Sequence, residues 1–144
     1  RRQRQMCIRD RRRMEEFRIG ERKMDSSIMV LPVAEGEEMQ TACMVALNAD
    51  GYAVLASKKT GLKVAGMAMQ YVDNRNGKNG SRNVNVYRGS VVMGNDGSIK
   101  QTDILKKAYV SGAQEVTITD TGSSMAGTIL EVDDDFVTVD IREQ

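Results

Sequence analysis

The chain has 144 residues, with 13 Gly, a single Pro, no His and no Trp. This length suits one ordinary core, and the lack of imidazole removes His-based triads, His general bases and the common zinc sites. The formal charge of +1 hides an uneven spread: residues 1–13 hold seven Arg against one Asp, a local +6, and the other 14 basic and 19 acidic groups leave the body at −5. Nucleic-acid affinity would therefore rest on the first 13 residues alone.

Arg1 to Arg13, RRQRQMCIRDRRR, has no hydrophobic period. It is read as a non-native or disordered basic segment, with Met14 or Met24 as the expected start. Residues 14–30 are expected to form a mobile N-terminal arm, and 31–144 a single β-rich domain. The longest apolar stretch, Ile28 to Ala34, contains Pro32 and is too short for a membrane helix.

From Ile28 onward the chain reads as short strands separated by turns. Met39 to Leu47 is a candidate strand. Asn48-Ala49-Asp50-Gly51 is a turn, since Asp-Gly supplies the positive φ that a hairpin needs. Tyr52 to Ala56 returns as the partner. Leu62 to Val72 is expected as one long strand, with Val64, Gly66, Ala68 and Gln70 on one face and Ala65, Met67, Met69 and Tyr71 on the other. Gly66 in mid-strand signals a bulge or a close backbone approach.

Asp73 to Asn83, DNRNGKNGSRN, is expected to be an exposed, mobile loop tip. Val84 to Met93 is strand broken at Gly89, and Asn95 to Ser98 is a turn. Thr102 to Lys107 is the one helical turn, with Thr102 as its N-cap. Ala108–Ser111 and Glu115–Thr119 are short strands.

Ser123 to Ile141 closes the chain as a hairpin around Asp133-Asp134-Asp135. Leu130, Val132, Val137, Val139 and Ile141 are expected on its core face. Ala126-Gly127 opens that hairpin as Ala65-Gly66 opens the earlier strand, which points to an internal duplication. The predicted fold is all-β: a compact β-barrel or sandwich of short antiparallel strands with one short helical turn near 102–107.

No catalytic constellation emerges. Glu37, Glu38, Asp103, Glu115 and Glu131 show no spacing that singles out an acid/base pair. Cys43 has no histidine to activate it and reads as a buried small hydrophobe. The three aspartates lack the EF-hand order of ligands. Tyr87-Arg88 is a lone aromatic–basic pair, short of the stacking surface that nucleic-acid sheets present. The expectation is a protein that is no enzyme, needs no cofactor or metal and does not enter a membrane.

Five stretches carry a family resemblance. Ala49-Asp50-Gly51-Tyr52 to Ala56-Ser57 is similar to an early Gly-led hairpin, and Gly61 to Ala68 to a Val-Ala-Gly-x-Ala strand. Val84 to Gly89 is similar to a Val-x-Val-x-x-Gly strand. Asp96 to Val110 resembles a D-G-x-I-x-x-x-D-I-x-K-x-x-Y-V segment, and Ala126-Gly127 to Val139 a closing A-G-x-x-x-x-V-D-x-D-x-V-x-V. In this order, over about residues 36–141, they resemble the small capsid cement, or head decoration, proteins of tailed phages and prophages. The arginine-rich start is no feature of that family.

The resemblance implies a non-catalytic virion structural protein. It would bind the outside of the head shell and stabilise it, with the major capsid protein as partner and a homotrimer as its form. It would be found on the capsid surface of the virion, and in the host cytoplasm during assembly. No specific nucleic acid is expected as a partner. Asn74, Arg75, Asn76, Lys78, Asn79 and Arg82 are the expected capsid or subunit contacts. The alternative is a β-domain that binds another protein or a glycan in a virion or host context.

Overall fold

The computed structural model describes residues 27–142. The basic segment, Cys7 and the arm up to residue 26 lie outside the described residues. Ile28–Val30, expected in the arm, belong to the first strand.

The described chain is all-β, as predicted. β1 (Ile28–Pro32), β3 (Met44–Leu47), β4 (Ala53–Leu55), β5 (Lys63–Ala68) and β7 (Asn83–Tyr87) form a five-stranded sheet. β8 (Ser90–Asn95), β9 (Lys107–Gly112), β10 (Glu115–Thr117), β11 (Met125–Val132) and β12 (Phe136–Asp140) form a closed barrel. β2 (Glu38–Met39) and β6 (Val72–Asp73) make a small antiparallel pair. Among the described residues no helix is long and apolar enough to cross a membrane.

The two five-stranded units have one design. Their strand orders, β4-β3-β5-β7-β1 and β10-β9-β11-β12-β8, match strand for strand in chain sequence. In the second unit β10 closes onto β8 in parallel, at Glu115–Gly94 and Val116–Asn95. In the first the same closure shrinks to a single parallel bridge, Val33–Ala53. These two contacts are parallel, within a described fold whose other strand pairs are antiparallel.

Matching backbone devices recur in both units. Ala42 and Leu105 both sit at φ 71. The Ala42 N–H donates to the Ala68 carbonyl and receives the chain back through Ala68 N–H to the Cys43 carbonyl, each at 2.9 Å. The Leu105 N–H donates to the Ile129 carbonyl at 2.7 Å, and the Ile129 N–H to the Lys106 carbonyl at 2.9 Å. Gly36, Gly61 and Gly66 recur as Gly97, Gly122 and Gly127 at one constant offset.

Both Ala-Gly pairs are bulges. Ala65 is the extra residue where Val45 pairs with Gly66 but Ala46 with Val64. Ala126 is the extra residue where Met125 pairs with Tyr109 but Gly127 with Ala108. A bulge turns the strand and resets which side chains face inward. Hence Val64, Ala65, Gly66 and Ala68 are all buried, against the strict two-face alternation expected of this strand. The long strand also ends at Ala68, and Met69 and Tyr71 are exposed.

The units share a layer. Val45 and Ala65 pack into one core with Leu31, Val33, Met39, Val84 and Val86. Their neighbours Met44, Ala46 and Val64 pack into the other, with Val110, Val116, Ile129, Val137, Val139 and Ile141. Each fully buried Val or Met side chain contributes about 1.5–3 kcal/mol, so β3 and β5 draw stability from both faces. Backbone bonds reinforce the joint: Met44 N–H donates to the Ala113 carbonyl at 2.7 Å. The buried Ser124 hydroxyl accepts from Leu62 N–H at 3.1 Å and donates to the Lys59 carbonyl.

Three local expectations are corrected. Met39–Leu47 is two strands, because the chain reverses through Ala42 to let β2 meet β6 and β3 meet β5. The helical turn is a single 3₁₀ turn at Gln101–Asp103 with Lys100, not Thr102, at its N-cap. Asp103 reaches back to accept from Lys100 N–H at 2.8 Å, and this bond holds its carboxyl below the usual range. In the closing hairpin a further bulge lies between Ile129 and Glu131. Ile129 is therefore fully buried, while Leu130, expected on the core face, is half-buried.

Candidate interaction surface

The loop from Asp73 to Asn83 replaces, in the first unit, the tight Asp133–Asp135 turn of the second. Both connect the equivalent strand pairs, β5 to β7 and β11 to β12. The short turn closes locally: Asp133 N–H donates to the Phe136 carbonyl at 2.8 Å, and Asp133 Oδ1 accepts from Asp135 N–H at 3.3 Å. Its three carboxylates are exposed. Among the described residues no three His, Cys, Asp or Glu side chains converge as a metal site.

The longer loop is cross-braced from within, contrary to the expectation of a mobile tip. Asn74 is 2% exposed. Its Nδ2 donates to the carbonyls of Val33, Ala34 and Lys78 at 3.2, 3.0 and 3.0 Å. Gly80 N–H donates to the Val33 carbonyl and Val33 N–H to the Arg82 carbonyl, both at 2.9 Å. Asn79 Oδ1 accepts from Glu35 N–H at 2.8 Å. Asn74 Oδ1 has no hydrogen-bond partner among the described residues. It lies over Gly77, where an added Cβ would come within 2.0 Å of it. A side chain at 77 would thus break the packing that hides Asn74.

Of the six residues expected to touch a partner, the structure therefore divides the roles. Asn74 points inward, so its side chain cannot be a surface contact. Asn79 is exposed but spends its carbonyl on Glu35. Arg75 is clasped by Asp73, with Nε–Oδ1 and Nη2–Oδ2 both at 2.9 Å, and lies 3.9 Å from Glu38. Asn76, Lys78 and Arg82 are exposed, and their side chains make no hydrogen bond or ion pair among the described residues. These three are the unspent groups of the loop.

Around them lie two polar hollows. One, of about 310 Å³, is lined by Asp73, Asn74, Asn76, Gly77, Ser81 and Arg82. The other, of about 320 Å³, is lined by Gln70, Tyr71, Val72, Asp73, Arg82 and Asn83. They meet at Asp73 and Arg82. The Tyr71 hydroxyl donates to Glu38 Oε2 at 2.5 Å, and that bond raises its pKa. Tyr71, Glu38, Asp73 and Arg75 thus form one partly exposed chain of polar contacts flanking the loop; sequence reading named Glu38 and Arg75 but did not connect them. The period-two placement of Tyr71 in a long strand concealed it.

The Arg75 guanidinium, and then the Arg75 N–H, hold the Asp73 carboxyl down to about 2. A depressed carboxylate pKa contributes stability that is complete above its unfolded value of about 3.9 and is lost below it. The clasp is therefore expected to persist through mildly acid solution and to open only as pH falls through about 2. Carboxyl carbon shifts followed by NMR will check this. A midpoint for Asp73 at the ordinary carboxylate value would show the clasp to be absent.

Glu37 and Glu115, like Asp103, serve the fold. Glu37 Oε1 accepts from Leu55 N–H at 2.6 Å, and Glu115 Oε1 from the Ser111 hydroxyl at 2.9 Å. Cys43 is a free, buried thiol. Tyr87 is half-buried with its ring over Gly89, and Arg88 Nη1 contacts Met29 Sδ at 3.6 Å, so that pair offers no open stacking face. No family model, curated protein or solved structure matches the chain.

Proposed function

We propose that this protein is a non-catalytic capsid cement protein, which decorates and stabilises the outside of a tailed-phage or prophage head shell. The observation that carries the reading is the ordered series of strand-and-turn motifs over about residues 36–141, which resembles that family. The braced loop of the first unit supports it by offering a contact surface. Asn76, Lys78 and Arg82 are exposed, without side-chain hydrogen bonds among the described residues, on a backbone that Asn74 holds in place, so little ordering entropy is lost when they bind.

The partner is the major capsid protein and the binding form a homotrimer, located on the virion surface and in the host cytoplasm during assembly. Three copies of one modest basic surface bind several shell subunits at once, and linkage multiplies their individually small affinities. Lys78 and Arg82 steer toward acidic ground on the shell.

The test is co-sedimentation with expanded and unexpanded tailed-phage head shells. The protein should pellet with expanded shells. The double variant Lys78→Glu/Arg82→Glu should lose about 100-fold in affinity with little change in thermal stability, since both side chains are exposed and make no hydrogen bond or ion pair among the described residues. Failure of the unaltered protein to pellet with any shell would overturn the reading.

A second reading follows from Tyr71, 48% exposed beside the hollow that holds Asp73 and Arg82. An exposed ring flanked by planar polar groups suits a sugar. Glycan-array binding that is lost in Tyr71→Ala, without shell binding, would favour this reading over the first.

A further inference from the structure

The loop contains two Asn-Gly sequences, Asn76-Gly77 and Asn79-Gly80. An asparagine before glycine is chemically vulnerable, because no Cβ shields the following backbone nitrogen. That nitrogen, once deprotonated, attacks the asparagine Cγ. The new N–Cγ bond forms as the Cγ–Nδ2 bond breaks, and the side-chain nitrogen leaves as ammonia with the proton the backbone gave up. Water then opens the succinimide at either carbonyl, giving Asp or isoaspartate. The reaction needs a side chain free to turn and a backbone N–H free to leave its hydrogen bond.

The fold treats the two sites differently. Asn79 is held at both ends of the reaction: its Oδ1 accepts from Glu35 N–H at 2.8 Å, and the attacking Gly80 nitrogen donates to the Val33 carbonyl at 2.9 Å. Asn76 is exposed, and its side chain has no hydrogen bond among the described residues. The Gly77 N–H has only a longer bond, 3.2 Å to the Asn74 carbonyl.

We propose that Asn76 is a site of spontaneous succinimide-mediated deamidation, and that the native loop directs this modification to Asn76 and away from Asn79. The product sets a carboxylate between Arg75 and Lys78, and its isoaspartyl form adds a methylene to the main chain. The chemistry is independent of what the surface binds. If the surface binds a shell, conversion lowers the positive charge that it presents.

The test ages the full chain in mildly alkaline buffer, alongside the same chain unfolded in guanidinium. Trypsin cuts after Arg75, Lys78 and Arg82, so Asn76–Lys78 and Asn79–Arg82 are separate peptides. Digestion in heavy-oxygen water marks conversion that occurs after ageing. In the native chain, conversion at Asn76 should exceed that at Asn79 by about tenfold or more, the factor that two native hydrogen bonds impose on opening. In the unfolded chain the two rates should converge. Equal native rates, faster conversion at Asn79, or an unconverted Asn76 where the unfolded chain converts would each overturn the proposal. Glu35→Pro, which removes the N–H that holds Asn79, should raise conversion at Asn79 alone, and no rise there would count against the proposed protection.

Discussion

Gly66→Ala and Gly127→Ala are each expected to lower the free energy of unfolding by about 3 kcal/mol, the upper part of the range for forced overpacking. At Gly66 a Cβ would lie 2.2 Å from the Tyr87 carbonyl oxygen and 2.6 Å from Val86 Cγ1. At Gly127 it would lie 2.3 Å from the Asp140 carbonyl oxygen and 2.9 Å from Val139 Cγ1. In both cases the obstacle is the backbone of the next strand, which cannot swing aside as a side chain can. Gly97→Ala is the control. It sits at φ +99 with nothing within 4 Å, so it should cost only about 1 kcal/mol of backbone strain. Denaturant unfolding will rank the three. Because β3 and β5 serve both cores, the two bulge variants should shift one common transition and not split it. A cost at Gly66 or Gly127 no larger than at Gly97 would contradict the close approach.

Asn74→Asp is the second large effect. The substitution keeps size and shape but exchanges the one donor group for an acceptor facing three carbonyl oxygens. Two of those carbonyls keep another partner: Val33 accepts from Gly80, and Lys78 from Ser81. The main cost is therefore that of a carboxylate buried without donors, about 3 kcal/mol at neutral pH. The sign with pH follows from burial. The fold favours the neutral acid, so the folded pKa rises above the unfolded value of about 3.9. The loss is then greatest at high pH and shrinks as pH falls through the raised value. Asn74→Ala removes the same bonds without adding charge and should cost less, with no such pH dependence. Parallel unfolding curves at acid and neutral pH separate the two. Equal pH profiles for the two variants would contradict a donor-only role for Asn74.

Turn chemistry made most of the fold legible. Asp50-Gly51, Asp96-Gly97 and the three aspartates at 133–135 mark reversals by local backbone preference. Alternation placed Val137, Val139 and Ile141 correctly inside. Alternation failed where a bulge inserts a residue, because the period of two restarts with no change in composition. Ala65, Ala126 and Leu130 all sit at such restarts. The repeated Ala-Gly pair was the visible trace of the duplication. The rest of that symmetry lies in strand order and in two residues at positive φ, Ala42 and Leu105, which no local preference marks.

The candidate surface was legible as a location but not as an arrangement. The Asn-, Gly- and Lys/Arg-rich composition of 73–83 identifies a surface loop. It does not reveal which asparagine turns inward, since a buried polar residue within a polar stretch leaves no pattern. Asn74 and Asn76 are alike in sequence and opposite in role, and the difference is made by Val33, Ala34 and Gly77. Tyr71 and Glu38 meet only because β6 pairs with β2, a contact between residues far apart in the chain.

The most direct test of the shell-binding account is a footprint. Amide hydrogen exchange of the protein should be measured free and in the presence of expanded tailed-phage head shells. The account predicts added protection over Asp73–Asn83, at the exposed ends around Asn76, Lys78 and Arg82, and unchanged exchange at the Asp133–Asp135 turn. Protection confined to the Asp133–Asp135 side, or no change anywhere in the presence of expanded shells, would contradict it.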